Sequence, residues 1–316
     1  MNKHSVIIVT PVYEDVEASS QLFKEIARQF QHKVFVVAVD DGSVKQPLKI
    51  ESLNNEGIDG VVLKLKRNVG HQHAIAIGLG YVSEHIGKEQ SVVVMDSDGE
   101  DLPSTIHDLL AQLQSDEVDV VVAQRKNRIE SLRFKLFYAV YKRFFTLMTG
   151  HTISFGNFMA INYNAVRRLV SMHELSIHIA GAVIASKLRT KACPLNRGPR
   201  YAGNSKMNFV KLALHGFKGL TVFAEDVLVR VGIACAFIAG LSVLGGVIII
   251  ILKFLGVAMP GWTSIVLGIM ILIFLQTGTL TLLTLMLTGL AGNISVTTVN
   301  SDLELIEAIE ETDRNV

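Results

Sequence analysis

Charge is scarce in this 316-residue sequence: 19% of its residues are Asp, Glu, Lys or Arg, while 49% are hydrophobic, and the mean hydropathy is +0.39. A chain this apolar has ample material for packed interiors, which excludes intrinsic disorder. Cysteine is scarcer still. Cys193 lies in a polar segment and Cys235 inside an apolar run, so a disulfide framework and a four-cysteine zinc site are both excluded. The chain also lacks a Gly-x-x-x-x-Gly-Lys-Ser/Thr loop and a Gly-x-Gly-x-x-Gly fingerprint, which removes P-loop kinases and dinucleotide oxidoreductases. Val6 to Val9 is too short for a signal-peptide core and meets Pro11 at once, so no secretory leader is expected.

The charges that exist are unevenly placed. Positions 1 to 230 hold 28 basic and 23 acidic residues, a net of +5, and the remainder carries −4. No charged residue occurs between Lys253 and Asp302. Val231 to Leu252 and Trp262 to Leu290 are each uncharged throughout, against the roughly 20 apolar residues that a spanning helix needs. With Gly256, Pro260 and Gly261 between them, they are expected to form a transmembrane hairpin, the alternative being a pair of buried core helices. Nine basic residues between Lys187 and Arg230 face two acids, which predicts that the N-terminal 230 residues and both termini lie on the cytoplasmic side of a plasma (inner) membrane. Gly240, Gly245 and Gly246 in the first span permit close packing against the second span or contacts in a homo-oligomer.

Short β-branched runs fill the remainder: Val6 to Val9, Val34 to Val39, Val61 to Leu63, Val92 to Met95 and Val118 to Ala123. They alternate with amphipathic stretches such as Ala18 to Phe30, His71 to His85 and Ser104 to Leu113. That alternation predicts an α/β domain on a mostly parallel sheet, with ligands bound beyond the carboxyl ends of the strands. The residues at those ends are Thr10 to Asp15, Asp40 to Ser43, Arg67 to Gly70 and Asp96 to Pro103. Any one is ordinary turn and cap chemistry. Four in succession form a constellation, in which Asp96 and Asp98 can converge on one hard cation, Mg or Mn.

Two basic segments complete the picture. Arg125 to Arg143 holds seven cations against Glu130, suiting either a solvated helix face or an electrostatic membrane contact. Arg197 to Lys206 is a Gly-containing basic loop able to close over phosphates. His71 and His73 fit local capping or donor contacts better than metal ligation, and the aromatic residues from Phe134 to Phe145 have helical spacing suited to a buried or membrane-facing stripe.

These residues resemble glycosyltransferase family 2 with a GT-A (Rossmann-like) fold, in its membrane branch that moves a sugar from a nucleotide to a polyisoprenyl (undecaprenyl) phosphate. The pieces that carry the resemblance are Pro11 to Asp15, Val39 to Ser43, Arg67 to Gly70, Asp96 to Asp98, Arg125, Gly156 to Phe158 and Arg200 to Lys206, followed by two apolar helices. The resemblance implies that Pro11, Tyr13, Asp15, Val39 and Asp41 hold the base and ribose of a UDP-type donor, with Ser97 beside them. It implies metal at Asp96, Asp98 and Glu100, and assigns Asp98, Arg125, Arg200 and Lys206 to catalysis. Arg125, Arg200 and Lys206 would pair with donor diphosphate or acceptor phosphate, with Ser205 on the same closing loop. The partners it implies are a nucleotide sugar, the lipid phosphate and the bilayer, and no nucleic acid.

The expected layout is a catalytic domain at 1–206, juxtamembrane amphipathic helices at 207–230, spans at 231–252 and 262–290, and an acidic cytoplasmic tail at 293–316. The chain departs from the family pattern at Glu14-Asp15, where Asn-Glu is common, at Asn157, where Asp is frequent, at Met207, where Tyr is common, and in its acidic tail. Two other readings stay open. One is a different acceptor, such as a polysaccharide, although the Gln/Arg-x-x-Arg-Trp motif of processive synthases is missing; the other is a catalytically silent nucleotide-binding scaffold.

Overall fold

The structure, a computed structural model, describes every residue except 2, 32, 116, 126–131, 203–208, 258–260, 295–298 and 314–316; of residues 125, 132–138, 209–213, 215, 288–294 and 299–301 it describes the backbone alone. The described chain divides into two compact units, Met1–Ala139 with Thr152–Val222 and Val296–Val316, and Val140–His151 with Phe223–Ser295.

In the first unit, β1 (Val6–Val12), β2 (Val34–Asp40), β3 (Asp59–Leu65) and β4 (Ser91–Val94) are parallel neighbours in the order β3-β2-β1-β4. All seven residues of β2 are buried, as expected of a parallel strand covered on both faces. Beyond β4 lie β6 (Met159–Ile161), antiparallel to it, then β5 (Val120–Arg125) and β7 (Thr190–Leu195).

Alternate residues of each strand feed opposite cores. Ile7, Val9, Val37, Val39, Val92 and Val94 pack under α3 (His71–His85) and α6 (Tyr163–Val170). Ile8, Val36, Ala38 and Val93 pack under α1 (Val16–Phe30) and α4 (Ile106–Leu113). This is the period-2 alternation of a pleated strand. α3 comes close to the sheet because Gly78 faces it: a Cβ there would meet Val9 Cγ1 at 2.7 Å and Val39 Cγ2 at 2.8 Å.

Strand order reverses between β1 and β4, since β2 and β3 lie on one side of β1 and β4 on the other. In an open parallel sheet, that switch point is where a ligand crevice opens. The mostly parallel α/β domain followed by two apolar helices is borne out. Each predicted strand is present within two residues of its expected start; β1 runs on to Val12 and β5 to Arg125.

Three strands have no counterpart in the sequence analysis: β6, β7 and a last one at the far edge of the sheet. The acidic segment after 293 enters the first unit, where a 3-10 segment, Val299–Leu305, leads into β8 (Ile306–Glu311). β8 pairs antiparallel with β3 from Val61↔Glu311 to Leu65↔Ile306 and forms the sheet edge. Along the chain α2 (Glu51–Asn54) follows β2, α5 (Leu132–Thr149) follows β5, α7 (Glu174–Ile177) and α8 (Ile179–Ala185) follow α6, and α9 (Phe209–Val222) follows β7.

The second unit contains α10 (Ala224–Phe254) and α11 (Trp262–Ile294). Both are long and apolar enough to cross a membrane. α10 begins seven residues before the expected Val231 and is unbroken there. Its buried positions Gly232, Cys235, Ala239, Ser242, Gly246 and Ile249 recur at alternating steps of three and four, the seam of a packed helix pair built on small residues. Gly232 faces Thr284, Gly245 faces Met270 and Gly246 faces Leu267, so the two helices run antiparallel; Gly240 faces open space. The expected packing against the second helix therefore holds at Gly245 and Gly246, and not at Gly240.

Candidate active site

Acidic residues follow β2 and β4, and they behave differently. Asp40 is buried and accepts from the amides of Ser43 at 3.0 Å and Leu48 at 2.8 Å, which makes it the organiser of its own turn. Asp41, also buried, accepts from the amides of Val69 at 2.7 Å and Gly70 at 3.1 Å. Burial raises its pKa, and the two amides only partly offset that. Gly42, at φ +67, lets this turn pass the loop after β3: a Cβ there would sit 2.5 Å from the Arg67 carbonyl carbon. After β1, Glu14 adopts φ 47, and its carboxylate accepts from the amides of Val44, Lys45 and Gln46 at 2.7 to 2.9 Å. These bonds, that of Lys45 foremost, hold its pKa low.

The sharpest constellation follows β4. The Asp96 amide donates to Asp101 Oδ2 at 2.9 Å and the Glu100 amide to Asp98 Oδ1 at 3.0 Å. The loop 196–201 lies directly on this turn, through two glycines. A Cβ on Gly99 (φ +90) would meet the Tyr201 ring at 2.6 Å, and one on Gly198 would meet the Gly99 carbonyl oxygen at 2.6 Å. Two backbone bonds lock the loops together, Gly198 N to Glu100 O and Tyr201 N to Asp98 O, each 2.9 Å.

Arginines cross the same gap. Arg200 Nη2 lies 2.8 Å from Asp98 Oδ2 and its Nε 3.1 Å from Glu100 Oε1, while Arg197 pairs with the second Glu100 oxygen. Burial raises the pKa of Asp98, the charge of Asp96 raises it further, and Arg200 and Arg197 oppose both. Burial also pulls Asp96 upward, but the charge and hydrogen bond of His71, with a hydrogen bond from Asn157, bring it below the ordinary value.

His71 opens α3 with Nε2 3.0 Å from Asp96 Oδ1. Burial pulls its own pKa down; the Asp96 charge and hydrogen bond, then Asp98 and Asp101, reverse that and raise it. Asn157 lies between His71, 3.0 Å from its Nδ2, and Gln72, which donates to its Oδ1 at 2.9 Å. Gln72 Oε1 in turn accepts from the Ile179 amide at 2.9 Å.

These groups line a cavity of about 850 Å³. The structure thus brings together Asp96, Asp98, Glu100 and Arg200 from the predicted set. Pro11, Tyr13, Asp15, Val39, Asp41 and Ser97 do not line this cavity. Val39 is fully buried beneath α3, Pro11 is its register partner, and Asp41 is turned into the loop after β3. Tyr13 is 45% exposed, and Asp15 precedes α1 without a side-chain cap bond. Ser205, Lys206 and the side chain of Arg125 lie outside the described residues.

Gln72 and Lys218 line the cavity without having been singled out in the sequence, and Arg197 and Asp101, which fall within the segments Arg197 to Lys206 and Asp96 to Pro103, line it without having been given a role of their own. The signal for Arg197 was present in its spacing from Arg200 on a Gly-Pro loop; Gln72 carried none, because its partners are 85 and 107 residues away.

Among the described residues, no group of three His, Cys, Asp or Glu side chains could hold a metal ion. Two donors nevertheless fit a hard divalent cation. Asp96 and Asp98 both line the cavity with carboxylates; burial first, and then the charge of Asp96, raise the pKa of Asp98, and a bound cation would offset both. Glu100, expected beside them, is engaged by Arg197 and Arg200, as Asp98 is by Arg200.

The family model "Glycosyl transferase family 2" matches residues 7–175, the stretch from β1 through β6 and on to α7. The chain belongs to glycosyl transferase family 2. It is 27% identical over 284 residues to the bactoprenol glucosyl transferase of Shigella phage SfV, spanning 84% of this chain and 88% of that protein. To the undecaprenyl-phosphate 4-deoxy-4-formamido-L-arabinose transferase of Klebsiella pneumoniae subsp. pneumoniae it is 25% identical over 260 residues, 78% and 76% of the two chains. Among solved structures, glucosyl-3-phosphoglycerate synthase from Mycobacterium tuberculosis, in complex with Mn2+, UDP-glucose and phosphoglyceric acid, superposes with a TM-score of 0.52 at 14% identity, covering 72% of this chain and 80% of that one. That likeness is one of fold, and it bears out the GT-A architecture of this family 2 glycosyltransferase.

Proposed function

We propose that this glycosyltransferase moves a sugar from a nucleotide donor, of the UDP type, onto a polyisoprenyl phosphate at the cytoplasmic face of a membrane. The observation that carries the reading is the make-up of one cavity. Asp96 and Asp98 line it together with Arg197 and Arg200, and the same cavity is bordered by Leu214 and Lys218 of α9. Leu214 is 58% exposed, as is its neighbour on the helix Phe217 at 62%. An apolar surface beside a lysine suits a phosphate carried on a hydrocarbon chain. Support comes also from the relatives named above, one a bactoprenol and one an undecaprenyl-phosphate transferase.

The chemistry follows from the charges. A lipid phosphate is already anionic at neutral pH, so the reaction needs no protein base and is compatible with Asn157 in place of a carboxylate. The protein has to align phosphate oxygen with the anomeric carbon and to neutralise the departing nucleoside diphosphate. Asp96 and Asp98 would hold a divalent cation, Mg or Mn, which supplies charge neutralisation on the diphosphate. Arg200 and Arg197, which pair with Asp98 and Glu100, can turn to phosphate oxygens, exchanging one anion for another in the same cavity. His71 and Asn157 hold Asp96 in place. A single in-line displacement inverts the anomeric centre, so an α-linked donor gives a β-linked lipid phosphosugar. Arg125, Ser205 and Lys206 are assigned by resemblance to the same phosphates.

α10 and α11 would anchor the catalytic domain beside its lipid substrate, with both chain ends cytoplasmic. The pairing of β8 with β3 supports this layout, since the chain returns to the catalytic sheet after the helix pair. The test is incubation of the purified protein with a panel of labelled nucleotide sugars and undecaprenyl phosphate, with and without Mn2+. Organic-extractable, cation-dependent product is the expected result. Label appearing only in a polysaccharide fraction, or nucleotide binding without product, would overturn it.

A further inference from the structure

α3 begins with little local support. Its N-cap is Gly70, so no side chain caps the helix, and that residue sits at φ +93 with no atom within 4 Å of where a Cβ would be. The first turn is instead held by three side-chain ties. His71 reaches Asp96, Gln72 reaches Asn157 and the Ile179 amide, and His73 Nε2 lies 2.8 Å from Asp302 Oδ2. The first two ties are to residues that precede the apolar helix pair in the chain. The third comes from 229 residues further along, on the 3-10 segment that follows the apolar helix pair.

Asp302 is itself firmly placed. Lys66 donates its amide to Leu305 O at 2.9 Å and its Nζ to Glu304 O at 2.7 Å. Leu303, Leu305 and Ile306 pack against the core on the α3 side of the sheet. Beyond them β8 is clipped to β3 by its ladder, by Lys64 with Glu310, and by the exchange of bonds between Gly60 and Thr312. His73 borders the same cavity as Asp96, Asp98 and Arg200. A carboxylate anchored on a sheet-bound strap therefore holds the one turn whose neighbouring side chains orient the acidic loop and Asn157.

We propose that Asp302 is a positioning residue for this active site: by accepting a hydrogen bond from His73 it fixes the first turn of α3, and with it His71 and Gln72. A helix start that carries site residues gains precision from ties outside the reacting groups, because displacements on the order of 1 Å can cost up to about a hundredfold in rate. The kinetic part of the inference rests on the transfer reaction proposed above; the structural part does not.

The experiment compares full-length wild type with Asp302→Ala, Asp302→Asn and Glu310→Gln. Asn keeps an acceptor for His73, and Glu310→Gln weakens the strap away from α3. Amide hydrogen exchange over residues 71–75 should quicken in Asp302→Ala alone. Turnover at saturating donor should fall roughly tenfold in that variant while donor affinity stays within about twofold, and Asp302→Asn should restore both readouts. Unchanged exchange in Asp302→Ala overturns the proposal, as does quicker exchange with normal turnover. Equal losses in Glu310→Gln also overturn it, because they would mean general loosening of the strap. If the wild type transfers no sugar at all, the proposed reaction fails, and the exchange comparison alone decides the tie.

Discussion

Asp98 carries opposite demands. Its burial and the neighbouring Asp96 favour the protonated form, and Arg200 at 2.8 Å favours the ionised one. A side chain balanced in this way is where loss of charge should be felt most by function and least by fold. We expect Asp98→Asn to reduce sugar transfer by at least about a hundredfold with little change in thermal unfolding, measured as labelled lipid product beside a melting curve. Undiminished transfer at saturating Mg2+ and Mn2+ would remove Asp98 from the reaction. Much of this was legible at the residue scale, because acids after β-branched runs fall at strand ends by rule. The roles of His71 and Gln72 were not. Their partners Asp96, Asn157 and Ile179 come from other parts of the chain, and no local spacing announces such contacts. Asp41 shows the converse: its position was anticipated, yet its carboxylate serves the amides of Val69 and Gly70.

At the scale of elements, patterns with a strong period survived translation into structure. His71–His85 is helical over the predicted span, and β2 was visible as a continuous apolar run. β8 was hidden because Ile306-Glu307-Ala308-Ile309-Glu310-Glu311 is rich in Glu, which strands disfavour. As the sheet edge it can carry those charges, and a charged edge discourages pairing with another chain. Strand ends at the opposite side of the sheet are joined by a different device. Asp119, preceding β5, accepts from Arg189 Nε at 2.9 Å, Nη2 at 2.8 Å and its amide at 3.1 Å, just before β7. These hydrogen bonds lower its pKa from 3.8 to about 2. Because the folded value lies below the unfolded one, the stabilisation is present in full above pH 3.8 and is lost as pH falls through about 2. Arg189 is 57% exposed, so screening limits the pair to about 1 kcal/mol, or a melting shift of about 2 to 4 °C for Asp119→Asn at neutral pH. Melting curves of wild type and variant should converge as the solution is acidified across that window. A gap that persists at the acid end would mean that the ion pair is not its source.

At the scale of the whole molecule, the sequence foretold an apolar hairpin from the absence of charge between Lys253 and Asp302, and α10 and α11 meet the length and hydropathy that crossing requires. Where the segment beyond them goes was not legible, since strand pairing between residues about 250 positions apart leaves no periodic trace. The pairing has a topological consequence. β8 and β3 share one ladder, so the chain entering α10 and the chain leaving α11 must occupy the same compartment, and an even number of crossings satisfies that. A cysteine at Val257, which is 71% exposed between the two helices, should react with a membrane-impermeant maleimide in intact cells. One at Glu307, exposed on β8, should react only after permeabilisation. The native thiols add little background, because Cys193 and Cys235 are both buried. Labelling of Glu307→Cys from outside would place the catalytic sheet there as well, and with it would go the use of a cytoplasmic nucleotide sugar. Protection of both sites in intact cells would mean that the helix pair does not cross the membrane, and the lipid acceptor would then have to be reached from a domain resting on the bilayer surface.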